Sequence, residues 1–199
     1  WLGASESEAS WAQVFKELTE RGLHGVRYVV ADDHVGLQAA LRRYFPEAIL
    51  QRCQVHYVRN ALSKVSSEAL QQRIQVALRD AWSASTREEA QGRFARVIAE
   101  LRPDAPRLAD WLADTHAETL ACYVLSRDDE RRKLRSTNAV ECHHQVVRRR
   151  TYVIRILPHE ASLLRLTALA IEQNDRWRQA RWIVHPTIIE EAHPLRRSA

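Results

Sequence analysis

The chain has 199 residues, of which 45% are hydrophobic, enough to bury a sizeable core. Its formal net charge is +5 and its isoelectric point is about 9.4, a basic balance that favours a nucleic-acid partner. No run approaches the roughly 20 apolar residues that a membrane-spanning helix needs, so no membrane partner is predicted.

Methionine and cysteine usage bears on the origin of the chain. The sequence contains no methionine, which predicts that it begins inside a longer gene product. Its three cysteines, Cys53, Cys122 and Cys142, are far apart and odd in number, a pattern more typical of a reducing cytoplasm than of a disulfide framework. We therefore expect a cytoplasmic protein.

The amino-terminal part of the chain alternates between helical and strand patterns. An amphipathic helix containing Trp11 and Leu18 precedes a short β-rich run at 26–31. A second amphipathic helix ends at Pro46, and residues 48–52 form a second short β-rich run. This order of helix, strand, helix and strand predicts an α/β fold.

Helical periodicity dominates from about residue 65 to residue 125, where no β-rich run occurs. This segment is predicted to be a mostly helical insertion that adds no strand to the main sheet. A charged connector at 127–135 follows, then a helix from Ser136 to about Arg150 and a long amphipathic helix from Pro158 to Trp177. The predicted units are 1–64, the first part of the α/β core; 65–135, the helical insertion; 136–180, the carboxyl-terminal helices of the core; and 181–199, a tail.

Asp32 is the first candidate for a chemical role. It follows the first β-rich run directly, and ligand sites in open α/β sheets gather at the carboxyl ends of strands. A carboxylate there suits the metal ions that assist phosphoryl transfer on DNA. The alternative is that Asp32 is a capping or loop residue before the next helix, where Asp33 could fill the cap equally well, because aspartate is a favoured capping residue.

Glu141 is the second candidate. It is the one acid among eight Lys/Arg residues between positions 131 and 155. Asn138 precedes it at a capping-box spacing, which would explain the glutamate without any metal. Arg148–Arg150 lie two turns further along the same predicted helix, where they can meet DNA phosphates while the acid meets a cation. The residues alone leave both interpretations open.

Thiol and imidazole side chains raise a zinc hypothesis, since they are the usual ligands of structural zinc. Cys53 and His56 form one Cys-x-x-His pair, and Cys142-His143-His144 is a run whose side chains cannot all face one way. This spacing is poor for a known structural zinc site, so hydrogen-bonded side chains are the preferred interpretation. A zinc-stabilised helical interaction domain remains an alternative.

Several of these segments together resemble the bacterial insertion-sequence transposases of the Mutator type. The similarity covers about residues 1 to 180, and motifs that are weak alone are strong together at these separations. It rests on Val29-Val30-Ala31-Asp32-Asp33-His34-Val35-Gly36-Leu37, Gln51-Arg52-Cys53-Gln54-Val55-His56 with Arg59-Asn60, Ser136-Thr137-Asn138-Ala139-Val140-Glu141, Arg148-Arg149-Arg150, the segment Pro158–Leu166, and Trp177.

The resemblance implies an RNase H-like core, truncated at its amino-terminal strands, with a mostly helical insertion. Asp32 would be the second acid of a D-D-E triad and Glu141 the third, and the family uses Mg²⁺ or Mn²⁺. Cys53 and His56 match the family's Cys-x-x-His signature near the active site, and Arg148 matches a basic position that contacts DNA. The implied reaction is hydrolysis of a phosphodiester at the element end, followed by attack of the freed 3′-hydroxyl on target double-stranded DNA.

Two departures from the family pattern temper this expectation. The first acid would lie upstream of Trp1, so the chain alone is expected to bind DNA weakly and to cut none, since two acids cannot readily hold two ions. Cys142-His143-His144 stands where the family usually has Arg-Leu-Asn, as in a degenerate copy. A non-catalytic nucleic-acid-binding module is therefore an alternative function. For the full-length protein we expect a homo-oligomer in the bacterial nucleoid.

Overall fold

The computed structural model describes residues 7–154 and 159–172. Within these ranges the chain is mostly helical, with one sheet of two parallel strands, and no helix is long and apolar enough to cross a membrane. The predicted positions Arg155, Pro158 and Trp177 and the predicted tail lie outside the described residues. The elements are α1 (Glu8–Glu20), β1 (Tyr28–Ala31), α2 (Val35–Tyr44), β2 (Ile49–Arg52), α3 (Gln54–Leu62), α4 (Glu68–Ala81), α5 (Arg87–Leu101), α6 (Pro106–Thr115), a 3-10 helix (His116–Val124), α7 (Asp128–Leu134), α8 (Asn138–Ile154) and α9 (Glu160–Glu172).

The two β-rich runs form the sheet, which confirms the predicted strands and the α/β class. Tyr28 pairs with Ile49 and Ala31 with Arg52, so the strands run parallel and end side by side. The helix α2 forms the crossover that a parallel connection requires. A small apolar core under the sheet is centred on Phe15, Ala40 and Leu41.

The segment from 65 to 125, all of which the structure describes, is helical and adds no strand, as predicted. Within it, α4 packs against α5, and α5 packs against α6 and the 3-10 helix. Ile74, Leu78, Phe94 and Leu112 point inward from these helices and are fully buried. Buried residues recur every three or four positions along these helices, as at Ile74 and Leu78 in α4, and this is the periodicity that predicted helices here. The boundaries proposed for the separate units stay a prediction.

The charged connector predicted at 127–135 is instead a short helix, α7. Its first turn carries the acids Asp128–Glu130, and its last turn carries the bases Arg131–Lys133. Acids near the amino end and bases near the carboxyl end complement the helix dipole. The prediction was wrong because it relied on hydrophobic periodicity, and this helix has no apolar stripe.

Two polar residues at the end of β2 join the sheet to the helical segment from 65 to 125. Arg52 is 4% exposed, and its guanidinium donates hydrogen bonds to Asp33 (2.6 Å) and Glu118 (2.8 Å). Gln51 is fully buried, and its amide donates to the Thr119 carbonyl (2.9 Å). Because buried polar groups are costly without partners, these bonds favour one placement of the 3-10 helix against β2.

In the folded chain, we expect only Cys142 to react with a thiol reagent. Cys53 and Cys122 are buried, whereas Cys142 is exposed. Burial also raises the pKa of the Cys122 thiol to about 11, so almost none of the reactive thiolate forms at neutral pH. Mass spectrometry after iodoacetamide treatment at neutral pH should show a single adduct on the native chain and full modification after unfolding. Rapid modification of Cys53 in the native chain would contradict this packing.

Candidate active site

A cleft of about 780 Å³ lies at the carboxyl end of β1, with walls from α1, α2, α3 and α8. One side of the cleft is apolar and is formed by residues of α1, β1 and α2. The polar side consists of Asp32, His56, Arg59, Thr137, Glu141, His144, Gln145 and Arg148. Both acids that the sequence singled out therefore line one cleft, as predicted.

Asp32 follows β1 directly, and its carboxylate is half exposed. Its Oδ1 accepts the backbone N–H of Asp33 (2.8 Å). The interpretation of either aspartate as the cap of α2 is wrong, because His34 caps that helix by accepting the Leu37 N–H at Nδ1 (3.2 Å). The carboxylate of Asp33 pairs with Arg52, so Asp32 is the acid of the two that lines the cleft.

Glu141 reaches the cleft from the first turn of α8. That helix begins at Asn138, which makes Asn138 its first residue rather than its cap, and the Glu141 N–H donates to the Thr137 carbonyl (3.0 Å). The carboxylate contacts α3: Oε1 lies 3.1 Å from Nε2 of His56, and Oε2 lies 3.7 Å from Nη2 of Arg59. The capping-box interpretation is therefore wrong, since the side chain faces the cleft.

His56 stands between the two acids. Its Nδ1 lies 3.8 Å from Oδ2 of Asp32, and its Nε2 lies 3.1 Å from Oε1 of Glu141. The second distance suits a hydrogen bond, but the ring N–H is not directed at the oxygen, so the buried Oε1 has no hydrogen-bond partner among the described residues. A buried carboxylate oxygen without a partner is costly, and a cation beside it would lower that cost.

Cys53 holds the start of α3 against the segment that precedes α8. Its side chain is fully buried, and the sulfur accepts the Thr137 N–H and contacts the Thr137 hydroxyl, each at 3.4 Å. Beside it, the Gln54 N–H donates to the Arg135 carbonyl (3.0 Å). His56 and Glu141 each lie about one helical turn beyond these bonds. The bonds therefore set the distance between α3 and α8 at the cleft.

The structure divides the residues of the zinc hypothesis among different surroundings. Among the described residues, no group of three or more Cys, His, Asp or Glu side chains is arranged to hold a metal ion. Cys53 is bonded to Thr137, whereas Cys142 is exposed on α8. The two members of the Cys-x-x-His pair thus have different roles: Cys53 connects the start of α3 to the segment before α8, and His56 contacts the two acids.

One of the three arginines predicted to bind DNA lines the cleft. Arg148 lies about two turns beyond Glu141, which places both side chains on the same face of α8. Arg149 and Arg150 are exposed on that helix but do not line the cleft. Because successive residues point in different directions around a helix, Arg148 faces the cleft with the acids, whereas Arg149 and Arg150 do not.

The chain is similar to curated insertion-sequence transposases. It is 37% identical over 199 residues to the transposase for insertion sequence element ISRM5 of Rhizobium meliloti, a match that covers 98% of this chain and 48% of that protein. The transposase for IS406 of Burkholderia multivorans is 34% identical over 177 residues, with 88% and 45% covered. The transposase for IS256 in transposon Tn4001 of Staphylococcus aureus is 33% identical over 189 residues, also with 88% and 45% covered. The chain thus spans about half the length of these relatives.

The family model for transposases of the Mutator family matches residues 1–180. The matched part includes both strands, the helical segment from 65 to 125 and the three side chains Asp32, His56 and Glu141 that line the cleft. Because the match extends over most of the chain, this protein belongs to the Mutator family of transposases.

Proposed function

We propose that this chain is the catalytic region of a D-D-E transposase. As part of the full-length protein it would hydrolyse a phosphodiester at the end of an insertion sequence, and the freed 3′-hydroxyl would then attack a phosphodiester of target DNA. The observation that carries the proposal is the meeting of Asp32 and Glu141, which are distant in the sequence, on one cleft with His56 between them. Family membership supports the reaction class.

An RNase H-like core is the fold that we propose for the catalytic region. The parallel pair of β1 and β2 with its α2 crossover would be part of that core, and the helices from α4 to the 3-10 helix would form the insertion. Asp32 at the end of a strand and Glu141 on a helix beyond the insertion agree with this arrangement. We further propose that the full-length protein acts as a homo-oligomer on duplex DNA in the bacterial nucleoid.

Mg²⁺ or Mn²⁺ fits the donors that this cleft offers. The carboxylates of Asp32 and Glu141 supply the oxygen ligands that such hard cations prefer, and Oε1 of Glu141 accepts no hydrogen bond from the described residues. Proteins commonly hold Mg²⁺ through one or two carboxylates together with waters and substrate phosphates, so these two acids suit part of its coordination. A bound metal would polarise the phosphate and stabilise charge that develops in the reaction.

The remaining polar residues of the cleft would position the acids and the DNA. Arg59 and His56 contact the carboxylate of Glu141 from α3 and hold it toward the cleft. Arg148 lies on the same face of α8 as Glu141 and would bind a phosphate of the DNA strand that enters the cleft. Positioning of this kind matters because phosphoryl transfer depends on the alignment of the attacking and leaving oxygens.

A non-catalytic DNA-binding module, or a degenerate transposase copy, is the second candidate function. Two observations favour it. The run Cys142-His143-His144 departs from the family pattern after Glu141. In addition, Asp32 and Glu141 are the only acids among the described residues that line the cleft. Such a protein would bind DNA in a salt-dependent way without cutting it.

The full-length protein that contains these residues is expected to cut DNA carrying its element ends only when Mg²⁺ or Mn²⁺ is present. Removal of the metal with EDTA should abolish cleavage and leave DNA binding in place, because arginine–phosphate contacts do not require the metal. Denaturing gels measure cleavage, and fluorescence anisotropy measures binding. Binding without cleavage in every metal would favour the second candidate, and the absence of any DNA binding would contradict both.

A further inference from the structure

A second cavity lies beside the candidate active site. Its volume is about 720 Å³, and its walls come from α3, α4, α7 and the start of α8. No carboxylate is present among the described residues that line it. Four arginines do line it, namely Arg59, Arg79, Arg132 and Arg135, and we call this cavity the arginine groove.

Two of these arginines have no ion-pair partner among the described residues. Arg79 is exposed on α4, and Arg135 is partly exposed just after α7. A single exposed arginine without an ion pair is ordinary, and Arg96 and Arg107 elsewhere on the helical insertion are examples, since neither pairs with an acid in the described part of the chain. The arginine groove differs because four arginines from separate elements line one concave surface that no acid lines among the described residues; Arg59 and Arg132 pair with Glu141 and Asp128 outside it, whereas Arg79 and Arg135 add unpaired charge. A concentrated positive potential of this kind attracts a polyanion.

Neutral groups between the arginines suit a sugar–phosphate backbone. Ser136 and Asn138 line the groove at the start of α8, and they can donate hydrogen bonds to phosphate oxygens. The positive end of the α8 dipole adds to the attraction for an anion. Val55 of α3, which is 39% exposed, gives the groove an apolar wall beside these donors.

The arginine groove joins the candidate active site at Arg59. This residue lines both cavities, and its Nη2 lies 3.7 Å from Oε2 of Glu141. His56, about one turn earlier on α3, contacts both acids. A chain of phosphates that passes the acids therefore reaches Arg59 next and then the groove.

We propose that the arginine groove binds the phosphate backbone of the DNA strand that extends from the scissile phosphate. The strand would pass from the acids over Arg59 toward Arg79 and Arg135. This inference rests on the proposed function, because it takes DNA in the cleft as its starting point. It gives the helical insertion, through Arg79 of α4, a direct part in holding the DNA.

The test compares two double variants of the full-length protein. Arg79→Ala with Arg135→Ala removes two charges from the arginine groove, and Arg96→Ala with Arg107→Ala removes two charges from exposed arginines that line neither cavity. Anisotropy titrations use duplex DNA with an element end at several salt concentrations. The groove variant is expected to bind roughly tenfold more weakly near 0.1 M salt, with a log–log salt slope shallower by about 2. The control variant should change binding by about twofold or less.

To locate the contact between the DNA and the arginine groove, individual phosphates next to the cleavage site are replaced with uncharged methylphosphonates. Each substitution within the groove path should weaken binding by the unaltered protein and have little effect on the groove variant. Circular dichroism establishes that both double variants are folded. Equal weakening by the two variants, or unchanged binding by the groove variant, would overturn the inference and leave the proposed function standing. Failure of the unaltered protein to bind DNA would contradict the proposed function itself.

Discussion

The variant Glu141→Gln is expected to cut element-end DNA more slowly than the unaltered full-length protein by a factor on the order of a thousand or more. Glutamine keeps the size and shape of the side chain but removes the negative charge that would face the metal. Loss of the contact between this carboxylate and the metal would remove several kcal/mol of transition-state stabilisation, which accounts for a factor of that size. DNA binding should change little, because the basic residues that meet phosphates are untouched.

Single-turnover cleavage assays in Mg²⁺ and in Mn²⁺ measure this effect, with anisotropy as the binding control. Glu100→Gln is a matched substitution, since Glu100 is exposed on α5 and has no ion pair among the described residues. It should cleave DNA at the rate of the unaltered protein. Cleavage by Glu141→Gln within about tenfold of that rate would mean that Glu141 only positions His56 and Arg59.

Phe94→Ala is expected to cause a large loss of stability in the 199-residue chain. The Phe94 ring is fully buried, with its centroid 5.9 Å from that of Trp82 and 5.0 Å from that of His116. Truncation of a buried phenylalanine leaves a cavity and lowers the free energy of unfolding by about 3–5 kcal/mol. For a chain of this size the melting temperature should fall by roughly 6–20 °C.

Urea unfolding monitored by circular dichroism measures the loss in free energy of unfolding, and Val76→Ala provides the comparison. Val76 lies on α4 in the same helical segment but is 66% exposed, so its truncation should change stability by less than about 0.5 kcal/mol. Similar unfolding midpoints for the two variants would contradict the tight packing around Phe94.

The amino-acid sequence by itself was sufficient to predict the two strands, the helical segment from 65 to 125 and the helix that carries Glu141. These features follow from local patterns, because a β-rich run or a repeat near 3.6 residues reports which face of an element is buried. It also directed attention to Asp32 and Glu141, since one follows a strand and the other is the single acid in a basic stretch. The helix α7 escaped prediction because charges at its ends stabilise it.

Only the tertiary structure decided which polar residues meet at the cleft. In the sequence either Asp32 or Asp33 could cap α2, whereas in the structure Asp33 pairs with the buried Arg52 and Asp32 lines the cleft. Arg52 has that role because β2 lies beside β1 in register, a relation between distant segments that no local pattern reports. Contacts between α3 and α8 likewise place His56 against Glu141.

The arginine groove was even less predictable from local sequence patterns than the candidate active site. Arg59, Arg79 and Arg135 belong to three separate segments, and neither their spacing nor their surroundings in the sequence predicts a common surface. Apolar packing between α3 and α4 places these helices side by side, and the Cys53–Thr137 bonds bring the segment after α7 to the same side. Hydrophobic patterning therefore specified the elements, whereas packing and buried polar contacts between distant segments created both cavities.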